Sequence, residues 1–164
     1  MLSVYIRKAN VNDVPRIIEL WNSLNLLHRK KFGYDSPLFR HNKKNLCLSL
    51  YKKFVTKRIQ ARNATVFVAE LNEKIIGHII VFIDKLPPIY VHDKQGYVGE
   101  IFVEEKYRGK GIGRKLLTAG EEWAKKKGLY SLGLTVFIRN ETALSAYRKF
   151  GFFEHHLKMS KIIK

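Results

Sequence analysis

Apolar residues recur along this chain at two alternating periods. Leu2 to Ile6 alternates as a strand does, and Asn10 followed three residues later by Asp13 has the form of a helix N-terminus, with an acid at the positive end of the dipole. Val14, Ile17, Ile18, Trp21 and Leu24 fall at spacings of three and four, which predicts a helix over 13–25 with one face toward a core. The pattern breaks from His28 to Asn45, where Gly33, Pro37 and scattered bases mark a loop placed to shape a substrate site. Leu46, Leu50, Phe54 and Ile59 then predict a second helix with a basic outer face. Val66 to Leu71 and Ile75 to Ile83 read as strands of a hairpin joined by Asn72-Glu73-Lys74. Pro87-Pro88 opens a loop that lasts to Gly96, and Tyr97 to Val103 is a further strand that ends at a glycine-rich turn. Ile112, Leu116, Gly120, Trp123 and Lys127 share one side of the next helix, which Gly128 stops. Leu132 to Val136 is a fifth strand. Asn140 caps a short helix carrying Ala143, Tyr147 and Phe150 on one face, Gly151 ends it, and Phe152 to Ile163 is predicted to close the sheet as a strand or hairpin.

No repeat, low-complexity segment or domain boundary interrupts the 164 residues, so one domain over 1–164 is expected. A content of 46% hydrophobic and 27% charged residues excludes disorder and collagen-like structure. With 31 basic residues against 14 acidic ones, the net charge of +17 predicts a surface that attracts phosphates, nucleic acids or acidic protein faces. Cys47, the single cysteine, excludes an intrachain disulfide and a thiolate-based zinc cluster. Met1 to Val11 lacks a signal-peptide core, and the longest clean apolar run, Ile79 to Ile83, is too short to span a bilayer; a cytoplasmic protein with no membrane partner is expected. His155-His156 are neighbours on a predicted strand and face opposite ways, so no metal site is expected.

The chemistry concentrates in Arg108-Gly109-Lys110-Gly111-Ile112-Gly113, between a strand and a helix. Three alternate glycines clear side chains from a backbone that a ligand approaches, and the amides up to Gly113 lie at a helix N-terminus that favours an anion. Arg108, Lys110 and Arg114 add positive charge suited to a ligand with several phosphates. A P-loop requires Gly-Lys-Ser/Thr, whereas Gly113-Arg114-Lys115 stands here. A dinucleotide fold requires Gly-x-Gly-x-x-Gly and an acid ending the next strand, which runs instead through Thr135 and Val136 to Phe137. The turn resembles that of the GNAT superfamily of acetyl-CoA-dependent N-acetyltransferases, in which a hydrophobic strand precedes Arg/Gln-x-x-Gly-x-Gly/Ala; Arg108, Gly111 and Gly113 match. Downstream, Asn140-Glu141-Thr142-Ala143 and Tyr147-Arg148-Lys149-Phe150-Gly151-Phe152 are similar to the family's Asn-x-x-Ala and Tyr-x-x-x-Gly-Phe elements.

The resemblance implies an α/β (α+β) fold with a mixed, mostly antiparallel central sheet flanked by helices, in the order β-α-α-β-β-β-α-β-α-β-β. It implies acetyl-CoA as cofactor, held by the backbone of Ile101, Phe102 and Val103, by the turn Arg108, Gly109, Lys110, Gly111, Ile112, Gly113 and Arg114, and by Asn140 and Tyr147. It further implies transfer of the acetyl group to a primary amine by direct attack in a ternary complex. Tyr147 then protonates or hydrogen-bonds the leaving thiolate. A base must deprotonate the amine, and Glu100 is the first candidate, although strand alternation also allows it to face away; Glu70, Tyr97 and His78 are weaker candidates. Phe32, Tyr34 and Phe39 either line the acceptor site or anchor a loop, and Cys47 is not expected to act as nucleophile. Acceptors consistent with the charge are a protein N-terminus or lysine, with a small-molecule amine as the alternative. A CoA-binding or nucleic-acid-binding protein without turnover is the competing reading. The basic surface allows weak association with nucleic acid or an acidic protein, and the apolar residues of Phe152 to Ile163 allow a homodimer.

Overall fold

The structure, a computed structural model, describes residues 3–32, 44–161 and 163. Strand β1 (Tyr5–Lys8) is followed by a 3-10 turn at Val11–Asp13 and helix α1 (Val14–Phe32). The predicted N-terminus forms: Asn12 N–H donates to Asn10 Oδ1 at 2.9 Å and Asn10 N–H to Asp13 Oδ2 at 2.8 Å, a reciprocal capping box. Helix α2 (Lys44–Gln60), strands β2 (Ala64–Leu71), β3 (Lys74–Lys85) and β4 (Lys94–Val103), helix α3 (Ile112–Lys126), strand β5 (Leu132–Leu134) and helix α4 (Glu141–Phe150) follow. The sheet runs β1-β2-β3-β4-β5, antiparallel except between β4 and β5, which α3 joins as a crossover.

Each face of the sheet is covered. Ile79, Val81 and Val98 meet Ile112, Leu116 and Trp123 of α3, and Tyr147 and Phe150 of α4 pack on the same side. Val66, Val68, Ile80 and Phe102 meet Val14, Ile17 and Leu20 of α1 and Tyr51 and Val55 of α2 on the other. Gly120 permits the close approach of α3, since a Cβ there would lie 3.0 Å from Val81 Cγ2 and 3.3 Å from Ile79 Cδ1. Among the described residues no helix is long and apolar enough to cross a membrane.

Four expectations change. Helix α1 does not stop near residue 25 but continues through His28 to Phe32, because His28 extends the stripe Val14, Ile17, Trp21, Leu24 by one more turn. Residues 33–43 of the expected loop lie outside the described residues. Helix α2 buries Tyr51 and Val55, while Leu46, Leu50 and Phe54 face outward. A tyrosine and a valine cover the sheet there, and the leucines that suggested the buried face lie about one position around the helix. Strand β5 ends at Leu134, two residues early, because its pairing with β4 stops at Val98. The closing strands expected over Phe152 to Ile163 do not form among the described residues. From 152 to 161 the chain has no regular structure, and Phe153, Leu157, Met159 and Ile163 are exposed. The three-residue edge of β5 offers them little to pair with.

Two features of the frame are testable. The β2–β3 hairpin turns through Asn72 and Glu73, both with left-handed φ, 48° and 62°. Such a two-residue turn favours Asn-Gly, so Glu73→Gly is expected to stabilise the protein by about 0.5–1 kcal/mol, seen as a melting-temperature rise of about 2 °C. Arg7 donates to both oxygens of Asp13, at 2.8 and 3.0 Å, and to Glu70 at 2.7 Å. The Arg7 guanidinium, with the Asn10 amide, holds the Asp13 carboxyl below its ordinary 3.8 against the opposing effect of burial. A carboxyl depressed in the folded state stabilises the fold fully above that ordinary value and loses its contribution as pH falls through the folded one. Asp13→Asn is therefore expected to cost about 1–2 kcal/mol at neutral pH in urea melts, with the gap to wild type closing below about pH 4.

Candidate active site

The site begins where β4 loses its neighbour. Gly96, Tyr97 and Val98 pair with Leu132, Gly133 and Leu134, and there the pairing ends. The β5-facing edge from Glu100 through Ile101, Phe102 and Val103 has no strand beside it, so main-chain groups on that edge are open to an extended ligand. Their side chains are committed to the core, Ile101 and Val103 on the α3 side and Phe102 on the α1–α2 side.

The chain then turns into α3. Glu104 N–H donates to Ile76 O at 2.9 Å, and Arg16 of α1 both pairs with the Glu104 carboxylate and donates to Ile75 O at 3.0 Å. Arg108 Nε donates to Val103 O at 2.9 Å, with its guanidinium 5.3 Å from the Phe102 ring centre. The side chain of Arg108 thus ties the turn to the end of β4. Gly109 and Gly111 have φ of 74° and 76°, the left-handed region that glycine enters without strain. Gly113 has no such requirement, and a Cβ on any of the three would meet nothing within 4 Å. The chain itself leaves this space clear. The first intrahelical bond runs from Lys115 N–H to Gly111 O at 3.0 Å, so the amides of Ile112, Gly113 and Arg114 head the helix without an intrahelical acceptor. The Ile112 side chain is core, while Lys110 and Arg114 are exposed and in no ion pair among the described residues. A diphosphate fits this arrangement of free amides, clear space and flanking cations.

Glu100 faces into the molecule on the α1–α2 side. The register of β3 against β4 slips between Ile80 and Val81, whose partners are Glu100 and Val98, so Gly99 is an extra residue and the strand bulges. The bulge reverses the phase of the strand: Val98 points to the α3 side, and Glu100 and Phe102 point to the other. A Cβ on Gly99 would lie 2.6 Å from Phe82 Cε1. On the α1–α2 side Tyr51 Oη donates to Glu100 Oε1 at 2.5 Å, and His78 Nε2 lies 2.5 Å from the same oxygen. Burial, together with the Glu100 charge and hydrogen bond, pushes the Tyr51 phenol far above its ordinary range. His28 of α1 lies within electrostatic reach of both Glu100 and Arg108; burial lowers its pKa, Glu100 opposes the shift and Arg108 adds to it. Trp21 stacks on Tyr51 at 4.2 Å, and His28 meets the Phe137 ring edge at 5.9 Å.

Beyond β5 in the chain, Asn140 caps α4, accepting the Ala143 amide at 3.3 Å, and Gly151 ends the helix in the left-handed region. Tyr147 packs edge-on against Phe152 at 5.8 Å, and burial raises its phenol to about 12. Its hydroxyl has no hydrogen-bond partner among the described residues.

Of the weaker candidates, only His78 joins Glu100. Glu70 pairs with Arg7 at the β1 edge, and Tyr97 Oη lies 2.5 Å from Thr135 Oγ1. His155 and His156 lie exposed beside each other, and among the described residues no three His, Cys, Asp or Glu side chains group as metal ligands. The side chain of Phe32 and residues Tyr34 and Phe39 lie outside the described residues. Tyr51 and His28 are the residues that sequence reading passed over. Each stands on a buried stripe whose period was available, Tyr51 four before Val55 and His28 four after Leu24.

The family described as the acetyltransferase (GNAT) family matches residues 26–152. An uncharacterised N-acetyltransferase of Methanocaldococcus jannaschii is 30% identical over 155 residues, covering 91% of this chain and 60% of its own length. An N-alpha-acetyltransferase of Sulfurisphaera tokodaii is 32% identical over 157 residues, 91% of this chain and 80% of the relative. This chain thus spans three fifths of the first relative's length. A mutant Bacillus halodurans protein of known structure superposes with a TM-score of 0.81 at 26% identity, covering 98% of this chain and 99% of that one. The open β4 edge, the cleared glycine turn and these matches agree, and the chain belongs to the GNAT family of acetyltransferases.

Proposed function

We propose that this chain, acting as one domain over 1–164, is an acetyl-CoA-dependent N-acetyltransferase that acetylates a primary amine by direct attack in a ternary complex. The observation that carries the reading is the continuous path from the cleared turn at Gly109–Gly113, along the unpaired edge of β4, to Glu100. A Clostridium acetobutylicum structure solved with acetyl-CoA shares the fold, with a TM-score of 0.75 at 18% identity over 96% of each chain. The amides of Ile112, Gly113 and Arg114 hold the pyrophosphate, aided by the side chains of Lys110 and Arg114, and the backbone of Ile101 to Val103 aligns the pantetheine arm. Acetyl-CoA supplies an activated thioester. Glu100 takes the proton of the acceptor amine, and Tyr147 donates a hydrogen bond to the leaving sulfur. With its phenol near 12, above the range of a thiol, Tyr147 acts by holding its proton toward the sulfur rather than by giving it up. Asn140 fixes the start of the helix that carries it.

For the acceptor, a protein N-terminus or lysine is favoured. The name N-alpha-acetyltransferase attached to the Sulfurisphaera tokodaii relative supports it, as does the exposed basic face of α2 with Lys52, Lys53 and Lys57, which suits an amine on an acidic polypeptide. The same face supports weak association with nucleic acid. A cytoplasmic location fits a chain whose single cysteine allows no intrachain disulfide, and the exposed apolar tail after Phe152 suits a homodimer.

Calorimetric titration with acetyl-CoA, beside ATP and NAD, tests the cofactor. Gly113→Glu is the informative variant, because its φ is not left-handed and its space is empty; it is expected to keep the wild-type fold and lose binding, whereas Gly111→Ala costs about 1 kcal/mol in stability through backbone strain. Absence of acetyl-CoA binding by the wild type overturns the reading. With an acceptor found among N-terminal peptides, lysine peptides and polyamines, Glu100→Gln is expected to lower kcat by roughly 10²-fold or more with acetyl-CoA affinity unchanged. Tyr147→Phe is expected to lower kcat by about tenfold, and an intact kcat removes it from the reaction.

A further inference from the structure

We propose that Tyr51 and His78 are positioning residues that hold Glu100 by a single oxygen, Oε1, and so dedicate Oε2 to receiving the proton of the acceptor amine. This rests on the acetyltransferase reading of the same site.

Both contacts fall on one atom. Tyr51 approaches Oε1 from α2 and His78 from β3, each at 2.5 Å. Oε2 carries no hydrogen bond among the described residues, and 14% of the Glu100 side chain remains accessible. A carboxylate bonded once through each oxygen is equally occupied on both sides. One bonded twice through the same oxygen, from two different elements, is fixed in rotation with its second oxygen left for another partner.

The protonation of the two donors follows from their surroundings. His78 is fully buried, and its Nδ1 has no hydrogen-bond partner. An N–H at that position would be a buried unsatisfied donor, which costs more than an unused lone pair on a ring nitrogen. The ring proton therefore sits on Nε2 and points at Glu100. Tyr51 keeps its proton because burial and the neighbouring carboxylate both oppose ionisation. Neither residue has a vacant basic site facing the acceptor, so the proton has one destination. In the step, the N–C bond forms, the N–H bond breaks with its proton passing to Oε2, and the electron pair of the broken C–S bond leaves on sulfur.

Three groups face Glu100: His28 from α1, Tyr51 from α2 and His78 from β3. Removing either donor leaves Oε1 held from one element only and frees the carboxylate to rotate.

The test uses the full chain labelled with ¹³C at glutamate carboxyls and ¹⁵N in histidine, as wild type, Tyr51→Phe, His78→Leu and His78→Gln. His78→Gln keeps an N–H donor near the position of Nε2, and acetyl-CoA binding verifies the fold of each variant. The expected result is a ¹⁵N spectrum with the His78 ring proton on Nε2 at neutral pH. Tyr51→Phe and His78→Leu each move the Glu100 carboxyl ¹³C resonance away from its wild-type position, and His78→Gln restores most of the shift. With an acceptor in hand, kcat falls about tenfold in Tyr51→Phe and His78→Leu while the KM for acetyl-CoA holds, and His78→Gln recovers most of it. A proton on Nδ1, or an unmoved Glu100 carboxyl resonance in Tyr51→Phe, overturns the proposal. The spectroscopic results stand without any acceptor. A protein that binds acetyl-CoA, shows the expected resonances and acetylates no amine therefore refutes the acetyltransferase reading and leaves the clamp on Glu100 in place.

Discussion

One extra residue in β4 decides what this site contains. Gly99 breaks the two-residue alternation, so the strand presents Val98 to one layer of the core and Glu100 to the other. Without the bulge, period two would send Glu100 toward α3, among Ile79, Leu116 and Trp123, where a carboxylate has no partner. With it, the acid meets Tyr51 and His78, and the same distortion comes one residue after the last β4–β5 pair. The opening for a ligand and the direction of the acid therefore share one cause. Gly99 is also the residue that the bulge requires, because the Phe82 ring occupies the space of any side chain there.

The glycine turn depends on a different set of ties. Arg16 reaches from α1 to Glu104 and to the Ile75 carbonyl, and Arg108 closes back on Val103. These bonds fix the exit of β4 and the entry of α3, so three amides stand at the helix start in advance of any ligand. Preorganisation of this kind spares the ordering cost that a mobile loop meets on binding. It also divides the three glycines by role: two answer to the backbone, and Gly113 answers to the space outside it.

Much of this was legible in the residues themselves. The strand, turn and helix around Gly111, the cap at Asn140 and the stop at Gly151 follow local rules of propensity and capping, and they stand where those rules put them. The orientation of Glu100 was not legible, because a bulge is a relation between two strands and leaves no mark in one of them beyond a glycine. Tyr51 was missed for a related reason. Leu46, Leu50 and Phe54 make the more hydrophobic stripe of α2, but the face that packs is the one that also supplies a hydroxyl to Glu100. His28 stands at the start of the segment that the broken pattern assigns to a loop, although its spacing from Leu24 continues the buried face of α1. The tail after Gly151 failed in the opposite sense: its apolar residues suggested strands, and the short edge of β5 gives them no template.

The stacking of Trp21 on Tyr51 gives the protein a built-in optical reporter. Of its two tryptophans, Trp123 is buried against the sheet beneath α3, while Trp21 lies flat on the ring whose hydroxyl holds Glu100. Indole emission responds to the charge and polarity within a few ångströms. Events at the carboxylate are thus transmitted through one ring to a fluorophore, while the second indole, in the opposite layer, supplies a constant background.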